Sequence, residues 1–281
     1  MNQDQYCVMG NPVGHSRSPW IHTRFAELTG QSLHYDRREV PLNAFKASVE
    51  DFRALGGRGC NVTVPFKLEA AALATVSSQR VQLAQAANVL SFDGHEIRAD
   101  NTDGVGLVND IEHNVGCALR GLRVLLVGAG GAAAGALGPL IEAAPARIVL
   151  ANRTLDKAQQ LVQRHQALAA LHKVELFAQS IQGLDDIFDV VINATASSLG
   201  GERLPIPERC LRAGTLAYDM MYGPAAQPFL DWARLHGAHA FDGLGMLVEQ
   251  AAEAFALWRG VRPPVGPVLE ELRQQLAQAS R

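Results

Sequence analysis

The first hundred residues alternate short apolar runs with stretches in which apolar side chains recur every three or four positions. The runs predict strands and the helical spacing predicts helices, in chain order at Tyr6–Met9, Ser18–Thr29, Leu33–Val40, Leu42–Leu55 and Cys60–Val64. Pro65 is expected to open the next helix at its first position, where proline is tolerated. Strands that alternate with helices predict an α/β domain with a mainly parallel sheet.

A second series of alternating strands and helices begins at Leu122. Strands at intervals of roughly 25 residues are typical of a doubly wound, Rossmann-type sheet. Six are predicted, at Leu122–Val127, Arg147–Ala151, Val174–Ala178, Asp189–Asn193, Thr215–Asp219 and Ala238–Phe241. After Gly243 the pattern is helical, breaks at Pro263-Pro264 and closes with a helix over Val268–Ala279. We therefore expect two domains, with a boundary near Asp103–Asp110.

Composition narrows the class of protein. A chain of 281 residues that is 48% hydrophobic and 19% charged is typical of a folded globular protein rather than a disordered one. Its formal net charge of −3 gives no indication of a surface for nucleic acid or for an anionic membrane. The uncharged segment Val124–Ile141 contains five glycines, so we interpret it as a buried strand, turn and helix rather than a membrane span.

The cysteines and histidines indicate no metal site. Four cysteines, Cys7, Cys60, Cys117 and Cys210, lie far apart without a CxxC pair, which excludes a zinc framework and a disulfide scaffold and suits a reducing compartment. His236 and His239 are three residues apart, but no cysteine or carboxylate cluster joins them. Because the N-terminus also lacks a basic stretch followed by an apolar one, we expect a cytoplasmic protein.

The segment VLLVGAGGAAAG carries a dinucleotide-binding pattern. It places Gly128, Gly130 and Ala133 on G-x-G-x-x-A, between an apolar strand and an alanine-rich helix. The first glycine permits a tight turn, the second lets the backbone approach a pyrophosphate, and the small third residue lets the helix pack on the strand. Unpaired N–H groups at the start of the helix attract that pyrophosphate. The alternative is that these small residues serve helix packing alone.

The end of the following strand distinguishes between the two nicotinamide cofactors. An NAD enzyme usually carries an acidic residue there to bind the ribose 2′-OH, whereas this strand ends in Asn152-Arg153-Thr154. The planar guanidinium of Arg153 suits a 2′-phosphate, and Lys157 adds positive charge one helical turn later. We therefore expect NADP rather than NAD. The alternative is a solvated arginine at a helix start, which the helix dipole disfavours.

Polar residues also cluster within the first domain. Ser16 and Ser18 are two residues apart just before a helix, although Ser18 could instead cap that helix. Asn61 and Thr63 point to the same side of a strand because side chains alternate along it. Asn88 is also expected at a strand end, where open α/β sheets bind their ligands.

A lysine and an aspartate are candidates for chemistry. Lys67 is expected in the first turn of a helix, and Asp103 lies in the segment DNTDG at a strand end. Only four of the 25 basic residues are lysines, and arginine does not deprotonate at a usable pH, so a retained lysine suggests proton transfer. A surface charge is the alternative for a single lysine.

Taken together, these segments resemble the shikimate dehydrogenase family. The motifs SRSP, NVTVPFK, AANVL, DNTDG, VGAGGAAAG, NRT, NAT, YDMMY and GLGMLVEQA occur in this order between about Val8 and Pro263. The resemblance implies two α/β domains, one that binds substrate and one of Rossmann type that binds NADP, with a cleft between them. The substrate domain is expected over residues 1–103 and 243–281, and the NADP domain over residues 104–242.

The resemblance implies NADP-dependent, reversible reduction of 3-dehydroshikimate to shikimate, in the pathway to aromatic amino acids. Lys67 and Asp103 would form the catalytic pair, in which Lys67 gives a proton to the C3 oxygen and takes it back in the oxidative direction. Asp103 would orient the ammonium and hold a substrate hydroxyl. A cation within hydrogen-bond reach stabilises the charge that develops on the oxygen. The Asp103 carboxylate favours the charged form of Lys67, whereas action as a base requires the neutral form.

The resemblance also assigns contacts with small molecules. The carboxylate of the substrate falls to Ser16 and Ser18, and its other contacts are Asn61, Thr63, Asn88, Asp103, Tyr222 and Gln250. The cofactor contacts are Gly128, Ala129, Gly130, Gly131, Ala132, Asn152, Arg153, Thr154, Lys157, Thr195, Met220 and Gly243. No metal, nucleic acid or membrane partner is expected, and the protein is expected to be a monomer or a homodimer.

Two alternatives stay open. One is a quinate or dual quinate/shikimate dehydrogenase, although such relatives often replace the second serine of the pair and relax the NRT site, whereas this chain keeps Ser18 and Arg153. The other is a non-catalytic NADP(H) sensor, which should have lost Lys67 or Asp103. The chain departs from the usual family pattern at three positions, Val89, Ala196 and Gly223.

Overall fold

The computed structural model describes residues 3–195 and 206–279, so Ala196 lies outside the described residues. The chain divides into two compact units, Met1–Gly106 with Val248–Arg281 and Leu107–Leu247. These bounds lie a few residues from the domain limits expected from the sequence. None of the helices in the described ranges combines the length and the apolar character needed to span a lipid bilayer.

The first unit is a six-stranded sheet with helices. Its elements are β1 Asp4–Gly10, α1 Ser18–Thr29, β2 Leu33–Glu39, α2 Phe45–Ala54, β3 Gly57–Val62, α3 Lys67–Leu73, β4 Val76–Ser77, α4 Gln79–Ala84, β5 Val89–Asp93 and β6 Glu96–Asp100. The strand order is β2-β1-β3-β5-β6-β4. The helix α5 (Asp103–Asn109) leads into the second unit, and α9 (Leu244–Arg259) and α10 (Val265–Ala279) end the described chain.

The sheet of the first unit is mixed, whereas the sequence predicts a mainly parallel one. Strands β1 and β2, β1 and β3, and β4 and β6 pair in parallel, but β5 runs antiparallel to both β3 and β6. The antiparallel pairing of β5 with β6 follows from the short connection between these two strands, where Gly94 adopts a positive φ of 55°. A turn of this length joins antiparallel strands, because a parallel pair needs a crossover of a dozen or more residues.

Pro65 does not open a helix, contrary to the prediction. The amide of Phe66 donates to the Thr63 carbonyl at 3.0 Å and closes a turn around the proline, so α3 begins only at Lys67. The prediction for α1, by contrast, is confirmed at both ends. This helix stops at Gly30, which adopts the left-handed conformation with φ of 65° that glycine favours at a helix end.

The second unit is a parallel, doubly wound sheet, as predicted. Its elements are β7 Arg123–Val127, α6 Gly131–Glu142, β8 Arg147–Asn152, α7 Leu155–His172, β9 Glu175–Ser180, β10 Val190–Asn193, β11 Leu216–Asp219, α8 Gln227–Leu235 and β12 His239–Phe241. The strand order β12-β11-β10-β7-β8-β9 reverses direction at β7, and a Rossmann-type sheet binds its dinucleotide at such a switch point. The strands are apolar runs because both faces are covered.

Candidate functional site

Lys67 and Asp103 form an ion pair in the first unit. Lys67 opens α3 just beyond the carboxyl end of β3, and Asp103 opens α5 after β6. The Lys67 Nζ lies 2.5 Å from Asp103 Oδ2, and the two side chains keep 23% and 10% of their surface exposed. The family resemblance implies that these two residues act as a pair, and the fold brings them together across 36 positions of the chain. A partly buried ammonium beside a carboxylate is a geometry suited to proton transfer.

Asn88 connects the residues around this pair. Its Nδ2 donates to Asp103 Oδ1 at 2.8 Å and also lies 3.3 Å from Gln250 Oε1. Its own orientation is set by the backbone amide of Thr102, which donates to Asn88 Oδ1 at 2.8 Å. Asn88, Asp103 and Gln250 are buried, yet they come from three separate segments. This arrangement places Asn88, Asp103 and Gln250 in one cluster.

A second group of polar side chains lies at the carboxyl ends of β1 and β3. Asn61 Oδ1 accepts a hydrogen bond of 2.6 Å from the hydroxyl of Tyr35, and Asn61 Nδ2 lies 3.3 Å from the carbonyl of Asn88. Thr63 follows β3, where its methyl group packs so closely on Gly10 that a side chain at Gly10 would collide with it. Asn61 therefore adjoins the Asn88 cluster.

The two serines lie at the start of α1. The Ser16 hydroxyl is 3.2 Å from the Ser18 hydroxyl, and the backbone amide of Ser18 donates to Ser16 Oγ at 3.3 Å. The residue that precedes α1 is Arg17, which makes no side-chain cap. Capping by Ser18 is thus not what the structure shows, because Ser18 is already the first residue of the helix. The two hydroxyls therefore form an adjacent pair at the helix start.

A buried histidine lies behind this group. The ring of His22 stacks on that of Tyr35 with centroids 4.3 Å apart and planes within 4°. Burial lowers the pKa of His22 to about 3, against a smaller opposing effect of the neighbouring Asn61 amide. His22 is therefore neutral at physiological pH. Burial also raises the pKa of Tyr35, so its hydroxyl keeps the proton that it donates to Asn61.

In the second unit, the turn after β7 has the geometry of a phosphate cradle. Gly128 has φ of +114°, and a side chain there would meet the carbonyl oxygen of Ala194 at 3.0 Å. Gly130 and Gly131 have open space where a side chain would project, and Gly131 begins α6, a helix of 12 residues. Ala133 is fully buried where α6 packs. The turn thus leaves its backbone accessible at the helix N-terminus, where anions bind.

The basic residues expected beside a 2′-phosphate lie at the end of β8. Arg153, Thr154 and Lys157 are exposed, and the side chain of Asn152 donates to the Thr154 carbonyl at 2.8 Å. Within residues 3–195 and 206–279, the guanidinium of Arg153 forms no ion pair or hydrogen bond. Because none of the described residues neutralises its charge, Arg153 is available for an anionic group.

Two buried polar residues without an assigned role in the sequence analysis, Asn193 and Asp219, lie at the carboxyl ends of β10 and β11. Asp219, at the end of β11, accepts hydrogen bonds of 2.9 Å from the Asn193 side chain and from the backbone amide of Met221. Asn193 Oδ1 in turn accepts hydrogen bonds from the hydroxyl and from the backbone amide of Thr195, at 2.8 and 3.0 Å. Both motifs, NAT and YDMMY, contain a polar residue at the end of an otherwise apolar strand, and that pattern could have identified them.

Met220 and Gly243 are in direct backbone contact at the same edge. A side chain at Gly243 would overlap the Met220 carbonyl, so only glycine allows this approach. The carboxyl ends of β7, β10 and β11 are followed by the Gly128 turn, by Ala194 and Thr195, and by Met220. This edge is where a doubly wound sheet binds its ligand. The glycine turn, the exposed guanidinium of Arg153 and this edge together fit a phosphorylated dinucleotide such as NADP.

Models of protein families match three parts of the chain. The shikimate dehydrogenase substrate binding domain matches residues 8–90, shikimate/quinate 5-dehydrogenase matches residues 110–200, and the shikimate 5′-dehydrogenase C-terminal domain matches residues 243–273. The chain belongs to the shikimate dehydrogenase family. The family resemblance noted in the sequence is confirmed. A relative from Acidovorax sp. (strain JS42) named shikimate dehydrogenase (NADP(+)) is 68% identical over 274 residues, which cover 98% of this chain and 97% of the relative.

Solved structures share this fold. Shikimate 5-dehydrogenase from Thermus thermophilus in complex with NADP(H) and shikimate has a TM-score of 0.81 at 28% identity, over 97% of this chain and 99% of that one. An Ael1 enzyme from Pseudomonas putida has a TM-score of 0.88 at 46% identity, over 96% and 98% of the two chains. The α/β fold with two units expected from the sequence is confirmed.

Two of the three positions at which the chain departs from the usual pattern, Val89 and Gly223, lie in the described residues. Val89 is buried and begins β5, so it belongs to the core. Gly223 has φ of +66°, a left-handed conformation that glycine adopts freely and that asparagine also tolerates. Tyr222, which precedes it, belongs to the second unit and is therefore not part of the cluster that the first unit builds by itself.

Proposed function

We propose that this chain catalyses the reversible, NADP-dependent reduction of 3-dehydroshikimate to shikimate, with Lys67 and Asp103 acting at the reacting oxygen. The observation that carries this proposal is the 2.5 Å contact between Lys67 Nζ and Asp103 Oδ2 within a buried polar cluster. The relatives at 60–68% identity that are named shikimate dehydrogenase (NADP(+)) support the same activity.

Lys67 is the proton donor in the direction of reduction. NADPH, when bound, supplies the hydride that the carbonyl carbon accepts. Negative charge then develops on the substrate oxygen, and the ammonium of Lys67 stabilises that charge and transfers a proton to it. In the direction of oxidation, Lys67 takes the proton back. Asp103 keeps Nζ in place, because its Oδ1 is held by Asn88 while Oδ2 contacts the lysine.

The polar side chains of the first unit hold the substrate. Ser16 and Ser18 bind the carboxylate through their adjacent hydroxyls, which lie 3.2 Å apart. The ring hydroxyls contact Asn61, Thr63, Asn88, Asp103 and Gln250, and Tyr222 is a further substrate contact. Thus residues 1–103 and 243–281 form the substrate domain, and residues 104–242 form the NADP domain.

The second unit holds the cofactor. The backbone of the glycine turn binds the pyrophosphate, since α6 begins there and the turn has no side chains in the way. Arg153 binds the 2′-phosphate, with Asn152, Thr154 and Lys157 beside it. On the other side of β7, Thr195, Met220 and Gly243 contact the nicotinamide half, and the full set of contacts in the turn is Gly128, Ala129, Gly130, Gly131 and Ala132.

The setting of the protein follows from its chemistry. All four cysteines are free, which is typical of a reducing compartment, and we propose that the enzyme works in the cytoplasm. It acts as a monomer or a homodimer, and gel filtration with light scattering would distinguish the two states. Neither a nucleic acid nor a membrane is needed for the proposed reaction.

Initial rates at 340 nm, with shikimate and quinate each paired with NADP and with NAD, test the proposal. We expect turnover of shikimate with NADP and much slower turnover in the other three combinations. Comparable rates with quinate or with NAD would indicate an enzyme of broader specificity. The absence of turnover in every combination, together with tight NADP binding, would contradict the proposal and favour a sensor of NADP(H).

A further inference from the structure

We infer that Arg37 determines the specificity of the first unit for acidic substrates, because its guanidinium holds Ser16 and adds positive charge beside the two serine hydroxyls. This inference rests on the proposed function, in which Ser16 and Ser18 bind the substrate carboxylate. Arg37 lies on β2, outside every motif that the sequence analysis assigned to substrate binding.

The contact is made by two N–H groups on a single oxygen. Arg37 Nε donates to the Ser16 carbonyl at 3.0 Å, and a terminal nitrogen of the same guanidinium donates to it at 2.6 Å. The Ser16 amide also donates to the carbonyl of Val13 at 3.0 Å. The backbone of Ser16 is therefore fixed on both sides, from β2 and from its own loop.

The fixed backbone of Ser16 also determines where the hydroxyls of Ser16 and Ser18 lie. Ser16 Oγ accepts a hydrogen bond from the backbone amide of Ser18 and lies 3.2 Å from Ser18 Oγ. A shift of Ser16 would therefore move the pair of hydroxyls together. Arg37 thus acts as a positioning residue for Ser16 and, through it, for Ser18.

The charge of Arg37 has a second effect. Serine hydroxyls are neutral, so on their own they compensate only in part for the hydration free energy that a carboxylate loses on binding. Arg37 is exposed, and within the part of the chain that the structure describes its guanidinium forms no ion pair with a carboxylate. Only two of its five N–H groups contact Ser16, so positive charge remains available to an anion at the serines.

The neighbouring arginine of β2, Arg38, contacts a different part of the first unit. Arg38 lies over the ring of Phe52, with its guanidinium carbon 4.5 Å from the ring centre. Because successive side chains of a strand point to opposite faces of the sheet, Arg38 and Arg37 do not share a side. Of these two arginines of β2, Arg37 is the one that contacts the loop containing Ser16.

Shikimate and its methyl ester distinguish the charge effect from a structural one. The ester has the same ring but no negative charge, and it is measured as a substrate or as a competitive inhibitor of the wild type, Arg37→Met, Arg37→Lys and Arg58→Met. Arg58 is an exposed arginine of β3, 62% exposed and 3.3 Å from Asp4, so Arg58→Met is the matched control.

We expect Arg37→Met to weaken shikimate binding about five- to tenfold and ester binding less than twofold, with an unchanged KM for NADP. Arg37→Lys should restore most of the preference for the acid, and Arg58→Met should change neither ligand. The wild-type kcat/KM should fall with added salt more steeply for the acid than for the ester.

Equal losses for acid and ester, or no loss for either, would overturn the inference while leaving the proposed function intact. If Arg37→Met does not accumulate as folded protein, the salt dependence of the wild type decides, and identical slopes for acid and ester would overturn the inference. A wild-type protein that does not turn over shikimate at all would contradict the proposed function and this inference with it.

Discussion

Asn88 and Asp103 are joined by a hydrogen bond of 2.8 Å from Nδ2 to Oδ1, on the carboxylate oxygen that Lys67 does not contact. The amide of Thr102 orients Asn88 in turn. The direction in which Asp103 presents its second oxygen to Lys67 is therefore set by the protein before any ligand binds. Such preorganisation is what an active site needs to stabilise charge that develops only during the reaction.

Removal of this support should lower turnover more than it lowers binding of the cofactor. In Asn88→Ala, Asp103 loses a buried hydrogen bond to its charged form, and we expect kcat to fall roughly 10- to 100-fold. The KM for NADP should stay within about twofold, because the glycine turn and Arg153 belong to the other unit. Steady-state kinetics measure both. Asn43→Ala, at an exposed loop position, is the control, and unchanged kcat in Asn88→Ala would contradict the role.

Lys67→Ala should abolish most of the activity. The variant lacks the group that we propose as the proton donor to the substrate oxygen, and general acid catalysis typically contributes about 10²–10⁴-fold. NADPH binding, measured by fluorescence titration, should be retained. Lys46→Ala is a suitable control because Lys46 is an exposed lysine of α2, 3.9 Å from Glu50. Near-normal turnover of Lys67→Ala would exclude Lys67 as the proton donor.

Arg153→Ala should change the choice of cofactor. Loss of a charge-assisted contact with a 2′-phosphate costs about 1.5–3 kcal/mol, which corresponds to roughly 10- to 100-fold in the KM for NADPH. The KM for NADH, which lacks that phosphate, should change little. Arg147→Ala removes an arginine from the opposite end of β8 and should affect neither cofactor. Equal changes for NADPH and NADH would refute the assigned contact.

Ser16→Ala should weaken binding of the acid substrate. The variant removes one hydroxyl of the adjacent pair while the backbone contact with Arg37 can persist, so we expect a roughly fivefold rise in the KM for shikimate. Ser48→Ala, on α2, is the control. If the affinity for shikimate in Ser16→Ala equals that of the wild type, the hydroxyl has only a structural role.

The sequence predicts the second unit better than the first, for a physical reason. Strands such as β7 and β10 are buried on both faces and read as continuous apolar runs. The hairpin of β5 and β6 is not among the predicted elements: it forms no continuous apolar run, and its exposed positions Asp93, Glu96 and Arg98 instead alternate with buried ones, as in a strand with one face exposed. The turn chemistry at Gly94 was the available signal.

In the candidate site, too, some features can be predicted from local sequence and others cannot. Motifs identify Lys67 and Asp103 as individual residues, since each motif is local in the chain. Contacts such as that of Asn88 with Gln250, across 162 positions, depend on how the strands pair and cannot be read from local sequence. Arg37 carries no motif at all, and only the position of β2 beside the serine loop reveals its contact with Ser16.

His22 should make the stability of the protein depend on pH. Its pKa in the folded state is about 3, whereas an unfolded histidine has a pKa of about 6.5. Below about pH 6.5 the unfolded chain binds a proton that the folded chain does not, so the free energy of unfolding falls by about 1.4 kcal/mol per pH unit down to about pH 3. This stability is fully present above pH 6.5 and is lost on acidification.

His22→Phe should remove this contribution while keeping a ring against Tyr35. Urea unfolding at pH 7.5, 6.0 and 5.0 measures it, and we expect the free energy of unfolding of the variant to fall less steeply than that of the wild type. The difference between the two proteins at pH 7.5, where both side chains are uncharged, reports the cost of the altered packing and serves as the internal control. Parallel curves for the two proteins between pH 7.5 and 5.0 would mean that His22 gains a proton in the folded state as readily as in the unfolded one.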